Sequence, residues 1–484
     1  MPVSPARAAA FEILLRIETT DSYASELLHS TRFAKLSAAD HGLLTELVMG
    51  VLRWRTVLDD KIAEHYGRPS ADRPGSREIP ALVAKTKSAT RTGHPNRARA
   101  KLDLEVLTAL RLGAYQLLFL DRVPQHAAVN ESVELVKRAR KKSAAGMVNA
   151  VLRKISNFHF SQKSGEVGHT AFDGRSAHPA WLVERWQQIY GPEATSKIYN
   201  YNQESPQTAV RLTCPPAPST SHVEAGAPTH PAVPGAANDG IQLDPGRLLA
   251  HAAIVAAGDI SQTAAFRERR LVIQDEASQL VALLVGRGNS ILDCCAAPGG
   301  KTRIIADRNP KATVVAMDLH PHRANLLRRL APGSNIRVIA ADARQMPFAM
   351  DFDRILVDAP CSGTGTLARN PEIKWRLRPD DILRPQAYQI EILTAAMKHL
   401  ATRGRIIYST CSLEPEENEA VIEKAMASSS SFRVVDCGDE LLRLAREGEL
   451  IWGDVKTLLS GPYLRTIPGV HPCDGFFAAV LERL

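Results

Sequence analysis

The stretch that decides the fold is Ser290-Ile291-Leu292-Asp293-Cys294-Cys295-Ala296-Ala297-Pro298-Gly299-Gly300-Lys301-Thr302. A short apolar run ends on an acidic residue, passes through small residues and a Gly-Gly turn, and enters a helical pattern. Similar runs recur at Thr313–Met317, Ile336–Ile339, Ile355–Val357 and Arg405–Tyr408. Short continuous apolar runs between helical segments predict a parallel sheet covered on both faces. Ligands of such sheets bind beyond the carboxyl ends of the strands, so the residues just after each run carry the information.

Gly299 and Gly300 allow a ligand near the backbone, and the helix start supplies free N–H groups. Gly300-Lys301-Thr302 imitates the end of a P-loop, but the glycine required five positions earlier is Cys295, which excludes that motif. The next run ends in Asp318, 18 residues after Gly300, a spacing that suits a carboxylate accepting both ribose hydroxyls of an adenosine-type cofactor. The third run is followed by Asp342, placed to accept from an adenine amino group. The fourth gives Asp358-Ala359-Pro360-Cys361-Ser362-Gly363-Thr364-Gly365 and the fifth Tyr408-Ser409-Thr410-Cys411-Ser412. Cysteine is usually a small buried hydrophobe. Two at matched strand ends, one beside Asp358, argue for thiolate chemistry. Cys294 and Cys295 read as small residues packed below the loop, and Cys214, Cys437 and Cys473 as inert.

The chain has 484 residues, enough for about three domains. With 44% apolar and 23% charged residues it reads as globular, not disordered or collagen-like. No apolar run is long enough for a membrane span, and Met1–Arg16 reads as an amphipathic helix, not a signal peptide. Seven cysteines without a CxxC pair predict neither zinc nor disulfides, hence no metal and a reduced, cytoplasmic compartment.

The formal net charge is +8, and it is concentrated. Residues 1–160 hold 25 Lys+Arg against 16 Asp+Glu, an excess of +9, and the remainder is at −1. Such asymmetry suggests a region that meets a polyanion, although a solvated basic surface would look the same. Leucine and valine spacing predicts an all-helical region over 1–160, interrupted by a polar basic loop over 67–100. The basic run Lys137-Arg138-Ala139-Arg140-Lys141-Lys142 ends a helix, where cations suit the dipole or, with the loop, make a phosphate-facing patch. A linker follows over 160–179, then a helix from Ala180 to Tyr190, a strand at Val210–Thr213 and a Pro/Ala/Gly/Ser-rich flexible insertion over 215–240.

Cys294 to Thr302, Asp358 to Gly365, Asn370-Pro371-Glu372-Ile373, Tyr408 to Ser412 and Asp474-Gly475-Phe476-Phe477 together resemble the RNA 5-methylcytosine methyltransferases of the Fmu/Sun class, in particular their ribosomal RNA members. Leu112-Gly113-Ala114-Tyr115-Gln116-Leu117, Val123-Pro124, His126 and Asn130 are similar to landmarks of NusB-type RNA-binding domains. The resemblance implies a NusB-like helical domain over 1–160, a small α/β RRM-like domain over 178–262 and a Rossmann-like α/β methyltransferase domain with a mixed seven-stranded sheet over 263–484. It also implies an S-adenosylmethionine cofactor held by Cys295, Ala296, Ala297, Pro298, Gly299, Gly300, Lys301, Asp318, Asp342 and Asp358.

Cytosine C5 is too weak a nucleophile to attack a methyl sulfonium unless a thiolate first adds at C6. By resemblance Cys411 is that thiolate, Cys361 assists release, and Asp358 holds the base near N3. A Pro-Cys nucleophile at Cys361, as in DNA cytosine methyltransferases, is the alternative assignment. What ionises Cys411 is not given by the sequence. The implied substrate is small-subunit (16S) ribosomal RNA before full assembly, with the protein acting as a monomer. Transfer RNA is the rival substrate, and a non-catalytic NusB-like RNA-binding or antitermination protein the rival function.

Overall fold

The computed structural model describes residues 3–33, 35–66, 102–162, 173–213, 240–427 and 429–484. The loop expected over 67–100, half of the linker over 160–179 and nearly all of the insertion over 215–240 lie outside the described residues, as does Cys214. The chain divides into two compact units: Met1–Glu204 with Leu367–Arg376, and Ser205–Thr366 with Leu377–Leu484.

The first unit is helical, with helices at Pro5–Thr19, Ala24–Leu28, Ala38–Arg53, Arg55–His65, Leu104–Phe119, Gln125–Arg138, Ala145–Gln162 and Ala180–Gln203. Pro5 starts the first helix where its missing N–H costs nothing. The Ser37 side chain caps Ala38–Arg53 by accepting from the Asp40 N–H. Leu104–Phe119 is buried on almost every side, which makes it the central helix. Gly50 is required by its approach to that helix, because a Cβ there would lie 1.9 Å from the Tyr115 ring. Arg111 enters the core as a bidentate pair with Asp59, both contacts 2.7 Å, with Glu18 accepting a further bond at 3.3 Å. The helix starting at Ala180 runs past Tyr190 to Gln203, bending where Gly191 takes φ 77° before Pro192.

Leu367–Arg376 joins this unit through side-chain bonds to helix-end carbonyls. The buried Lys374 ammonium donates to Arg53 O at 2.9 Å and Ala177 O at 2.8 Å. Trp375 Nε1 donates to Leu52 O, and Glu372 accepts the Ala24 N–H at 2.7 Å. Arg376 donates to the carbonyls of Ile17, Thr20, Asp21 and Ser22.

The second unit holds two sheets. The smaller contains β1 (Ala209–Leu212), β2 (Gln242–Pro245), β3 (Ala252–Ala257) and β4 (Leu271–Ile273) in the order β2-β3-β1-β4, antiparallel throughout. The segment 178–262, expected to be one RRM-like domain, is thus divided: its long helix packs Leu182, Val183 and Trp186 in the first unit, and its strands belong to the second. Among the described residues the only α-helix between these strands is the four-residue Ala264–Arg267.

The larger sheet contains β5 (Ser290–Asp293), β6 (Thr313–Asp318), β7 (Ile336–Ala340), β8 (Phe352–Asp358), β9 (Leu400–Thr410), β10 (Phe432–Val435), β11 (Leu459–Ser460), β12 (Tyr463–Thr466) and β13 (Phe476–Arg483). Strands β7-β6-β5-β8-β9 are parallel, and β13 adds antiparallel to β9. This is the mixed Rossmann-like sheet that the resemblance implies, with nine strands instead of seven. The increase arises because β13 is long enough for two short strands to share its outer edge: β12 pairs with Thr466↔Phe476 onward, β10 with Val435↔Val480 onward, and β11 extends β12. Alternate residues face opposite layers, so Ile291, Val314, Leu356 and Ile407 fill one core and Leu292, Met317, Ile355 and Tyr408 the other. Among the described residues no helix is long and apolar enough to cross a membrane.

Candidate active site at the carboxyl ends of the parallel strands

Asp293, Asp318, Asp358 and Thr410 are the last residues of β5, β6, β8 and β9. The turn after β5 is pinned between its neighbours: Cys294 N donates to Leu356 O and Ala296 N to Met317 O. Gly299 takes φ 114°, and a Cβ there would meet Leu327 at 2.7 Å and Ala331 at 3.0 Å. Packing beneath the loop, more than space for a ligand above it, therefore requires glycine at that position. Cys294 is buried and its thiol pushed well up by desolvation, as is that of Cys295, which fits packing roles. Pro298 is exposed at the tip, whereas Ala296 and Ala297 are buried. Asp293 is buried as well; its carboxyl accepts from Thr302 Oγ1 at 2.7 Å, and burial pushes its pKa up to about 7.

The acidic residues at the strand ends have distinct partners. Asp318 accepts from His320 N at 3.1 Å through Oδ1 and from Ala297 N at 3.3 Å through Oδ2. A carboxylate oxygen has two acceptor sites, so each of these oxygens can still take a ribose hydroxyl. Arg323 lies 3.7 Å from Asp318 and donates to Ala297 O, so it covers the turn. Asp342 is held bidentate by Arg344, whose guanidinium stacks 4.7 Å over Tyr388. That hydrogen bond holds the Asp342 carboxyl below its ordinary range. These donors and acceptors fit an adenosine-type cofactor.

The two cysteines meet. Cys361 Sγ and Cys411 Sγ lie 3.3 Å apart, both partly exposed. Their hydrogen bond, followed by burial, pushes the Cys361 thiol well up. Beside them Asp358 accepts from Lys301 Nζ and from Ser409 Oγ, each at 2.8 Å. Burial opposes the Lys301 charge, but Asp358 outweighs it, and Cys411 and Asp293 add to the attraction, so the Lys301 pKa is raised. Lys301 also sits 5.1 Å over the Phe476 ring.

Phe476 belongs to the closing Asp474-Gly475-Phe476-Phe477 motif, and the structure gives that motif a packing reason. Gly365 N donates to Cys411 O and Gly475 N to Gly365 O, so the two cysteine loops and the last strand are laced together. A Cβ on Gly365 would fall 2.1 Å from Gly475 O.

Sequence reasoning missed Glu417. It is fully buried and accepts from Ser362 N at 2.8 Å, Ser362 Oγ at 2.5 Å, Ser412 Oγ and Gln389 Nε2 at 3.2 Å. Burial raises its pKa, partly offset by these bonds. One carboxylate thus ties the residue after Cys361 to the residue after Cys411. The available signal was the repeated Cys-Ser dipeptide at two strand ends.

Of the basic run, Lys137 pairs with Glu134 and Lys141 with Asp103 at 3.0 Å. Arg138, Arg140 and Lys142 are exposed.

Residues 280–482 match the family described as 16S rRNA methyltransferase RsmB/F, and residues 4–77 and 89–157 match the NusB family. The Vibrio cholerae ribosomal RNA small subunit methyltransferase B is 31% identical over 489 residues, 99% of this chain and 97% of that protein. A Bacillus subtilis protein described as a ribosomal RNA small subunit methyltransferase B is 30% identical over 500 residues, spanning both chains completely. The crystal structure of PH0851 has the same fold, with a TM-score of 0.71 at 21% identity over the whole of both chains. With a relative at this identity along its full length, the chain belongs to the RsmB/F family of rRNA methyltransferases.

Proposed function

We propose that this protein methylates C5 of a cytidine in small-subunit ribosomal RNA before the subunit is fully assembled. The observation that carries the reading is the pair of sulfur atoms 3.3 Å apart beside the Lys301–Asp358 ion pair. S-adenosylmethionine, when bound, supplies a methyl group on a sulfonium. The turn from Cys295 to Lys301 cradles it, with Asp318 at the ribose and Asp342 at the adenine.

Cys411 is the nucleophile. The Lys301 ammonium interacts with the sulfur of Cys411, the residue that attacks as a thiolate. Cys361, its thiol proton held tightly, donates to that thiolate. The Cys411 sulfur bonds to C6 of the flipped cytosine, and the displaced ring electrons make C5 nucleophilic toward the methyl group. Asp358 lies where it can hold the N3 edge and favour protonation there. In the release step the C5 proton passes to solvent water with Cys361 assisting, the C5–H electrons re-form the C5–C6 double bond, the C6–sulfur electrons return to Cys411, and N3 gives back the proton it took.

The test incubates wild type, Cys411→Ala and Cys361→Ala with unmethylated small-subunit RNA, transfer RNA and labelled cofactor. Cys411→Ala is expected to form no covalent adduct. Cys361→Ala is expected to accumulate a protein–RNA adduct that survives a denaturing gel. The opposite pattern exchanges the roles of the cysteines. Methyl transfer by wild type to transfer RNA alone would overturn the substrate, and no transfer to either RNA would overturn the enzymatic reading.

A further inference from the structure

The charge distribution along the chain assigns RNA capture to the first third, yet the second unit contains a cleft of about 520 Å³ lined by Arg354, Arg403, Arg405, Arg433 and Arg483, with Glu482 and Leu484. The cleft is built by strand register. Arg433 on β10 is the register partner of Glu482 on β13, Glu482 of Arg405 on β9, and Arg405 of Arg354 on β8. Register partners project from the same face of a sheet, and like charges set directly opposite one another are destabilising. Here three arginines and one glutamate form a single row, with Arg354 and Arg405 side by side.

Internal pairing leaves part of this charge uncompensated. Glu482 binds Arg405 at 3.0 Å and Arg433 at 2.8 Å, and Glu440 takes a second bond from Arg405 while also pairing with Arg443. Arg354 donates only to its neighbour's carbonyl, Asp353 O, and Arg483 to Leu400 O. Among the described residues Arg354, Arg403 and Arg483 make no ion pair. Burial lowers the Arg354 pKa and the adjacent Arg405 adds to it, while Asp353, Glu440 and Glu482 offset this only in part. Arg403, exposed at the rim, is held at φ 59°, a backbone conformation that side chains other than glycine rarely adopt. The cations are all arginines, whose planar donor fork suits phosphate oxygens.

We infer that this arginine cleft is a second RNA-binding site, which takes phosphates of the substrate RNA backbone at the end of the sheet away from the cysteines. Arg405 precedes Cys411 by six residues along β9, so the cleft lies about 20 Å from the reacting sulfur. RNA held there flanks the target cytidine and does not enter the active site. The inference rests on the RNA-methyltransferase reading for the identity of the polyanion.

The experiment compares full-length wild type with Arg354→Gln/Arg403→Gln. It measures binding of an unmethylated small-subunit rRNA transcript across a salt series, and methyl transfer at saturating RNA. The double variant is expected to bind about tenfold more weakly near physiological salt and to lose about one to two from the slope of log affinity against log salt. Its transfer rate at saturation should stay at the wild-type value. In wild type, the same transcript should protect Arg354 and Arg403 from modification by phenylglyoxal, an arm that does not depend on the variant folding. An unchanged slope, or modification unaffected by RNA, overturns the inference. So does protection by inorganic phosphate or polyphosphate with unaltered RNA affinity, which would make the cleft a small-anion site. Wild type failing to bind the transcript at all would instead strike the functional reading on which the cleft depends.

Discussion

At the scale of single residues, the site separates the groups proposed to react from one placed to position them. Cys361, Cys411 and Asp358 stand out in the sequence because each follows or ends an apolar run, and the side of the sheet that binds ligands is known once the strands are parallel. Glu417 does not stand out. It sits in an acidic stretch, Glu414 to Glu419, where nothing in the sequence separates it from its acidic neighbours, and only the closed fold brings Ser362 and Ser412 to the same carboxylate. Its bonds fix the backbone beside both cysteines, so its removal should act on the distance between the sulfurs and not on cofactor binding. Losing bonds to a buried charged acceptor costs about 1.5–3 kcal/mol each, so Glu417→Ala should lower the methyl-transfer rate by at least about tenfold. Glu417→Gln can still accept from Ser362 N and Gln389 while donating to the two hydroxyls, and should recover most of that rate. Single-turnover kinetics with a parallel measurement of cofactor affinity decides the matter. Equal loss in both variants, or a loss confined to cofactor affinity, would contradict a positioning role.

At the scale of elements, legibility follows from how each element is buried. The parallel strands are covered on both faces and show themselves as unbroken apolar runs; Ser290–Asp293 is read from sequence with its bounds intact. The strands β1 to β4 are three to six residues long, and part of their connection lies outside the described residues, so sequence pattern gives β1, expected at Val210–Thr213, and little of the other three. The helix from Ala180 is read too short because Gly191-Pro192 looks like a terminus, whereas the chain bends there and continues. The basic run at the end of Gln125–Arg138 is legible as charge but not as availability. Lys141 is engaged by Asp103 and Lys137, though exposed, by Glu134, which leaves Arg138, Arg140 and Lys142 as the exposed cations of the run without an ion pair among the described residues. Neutralising those three to Gln should take about two to three from the salt slope of RNA binding, one per lost phosphate contact. Lys141→Gln alone should leave the slope unchanged, and filter binding over a salt series checks both. If Lys141→Gln matches the triple variant, the ion pair with Asp103 does not hold in solution.

At the scale of the whole molecule, the chain does not run through its units in order. Leu367–Arg376 lies in sequence between the two cysteines, inside the methyltransferase motifs, yet its side chains are bonded within the helical unit. No periodicity announces this, because the partners of Lys374 and Arg376 are carbonyls more than 190 residues earlier. The consequence is that the helical unit is completed by a segment of the catalytic region. Lys374 shows the degree of commitment: burial, and then Arg53, hold its ammonium well below its ordinary pKa, and it is accommodated by the carbonyls of Arg53 and Ala177. Arg376 is the more informative residue to change. Its guanidinium gathers four carbonyls at and beyond the end of helix Pro5–Thr19, where a cation also suits the helix dipole. Hydrogen bonds to a charged group are worth about 1.5–3 kcal/mol, and a unit of this size loses about 2–4 °C in Tm per kcal/mol, so Arg376→Ala should melt the helical unit roughly 3–12 °C earlier. Hydrogen exchange should show faster opening of Pro5–Thr19 and Ala24–Leu28, with β5, β6 and β8 retaining wild-type protection. Unchanged protection in the first two helices would mean that Arg376 does not anchor the segment. Equal loss across both units would mean that the segment stabilises the chain globally, so that the helical unit has no separate stability for it to complete.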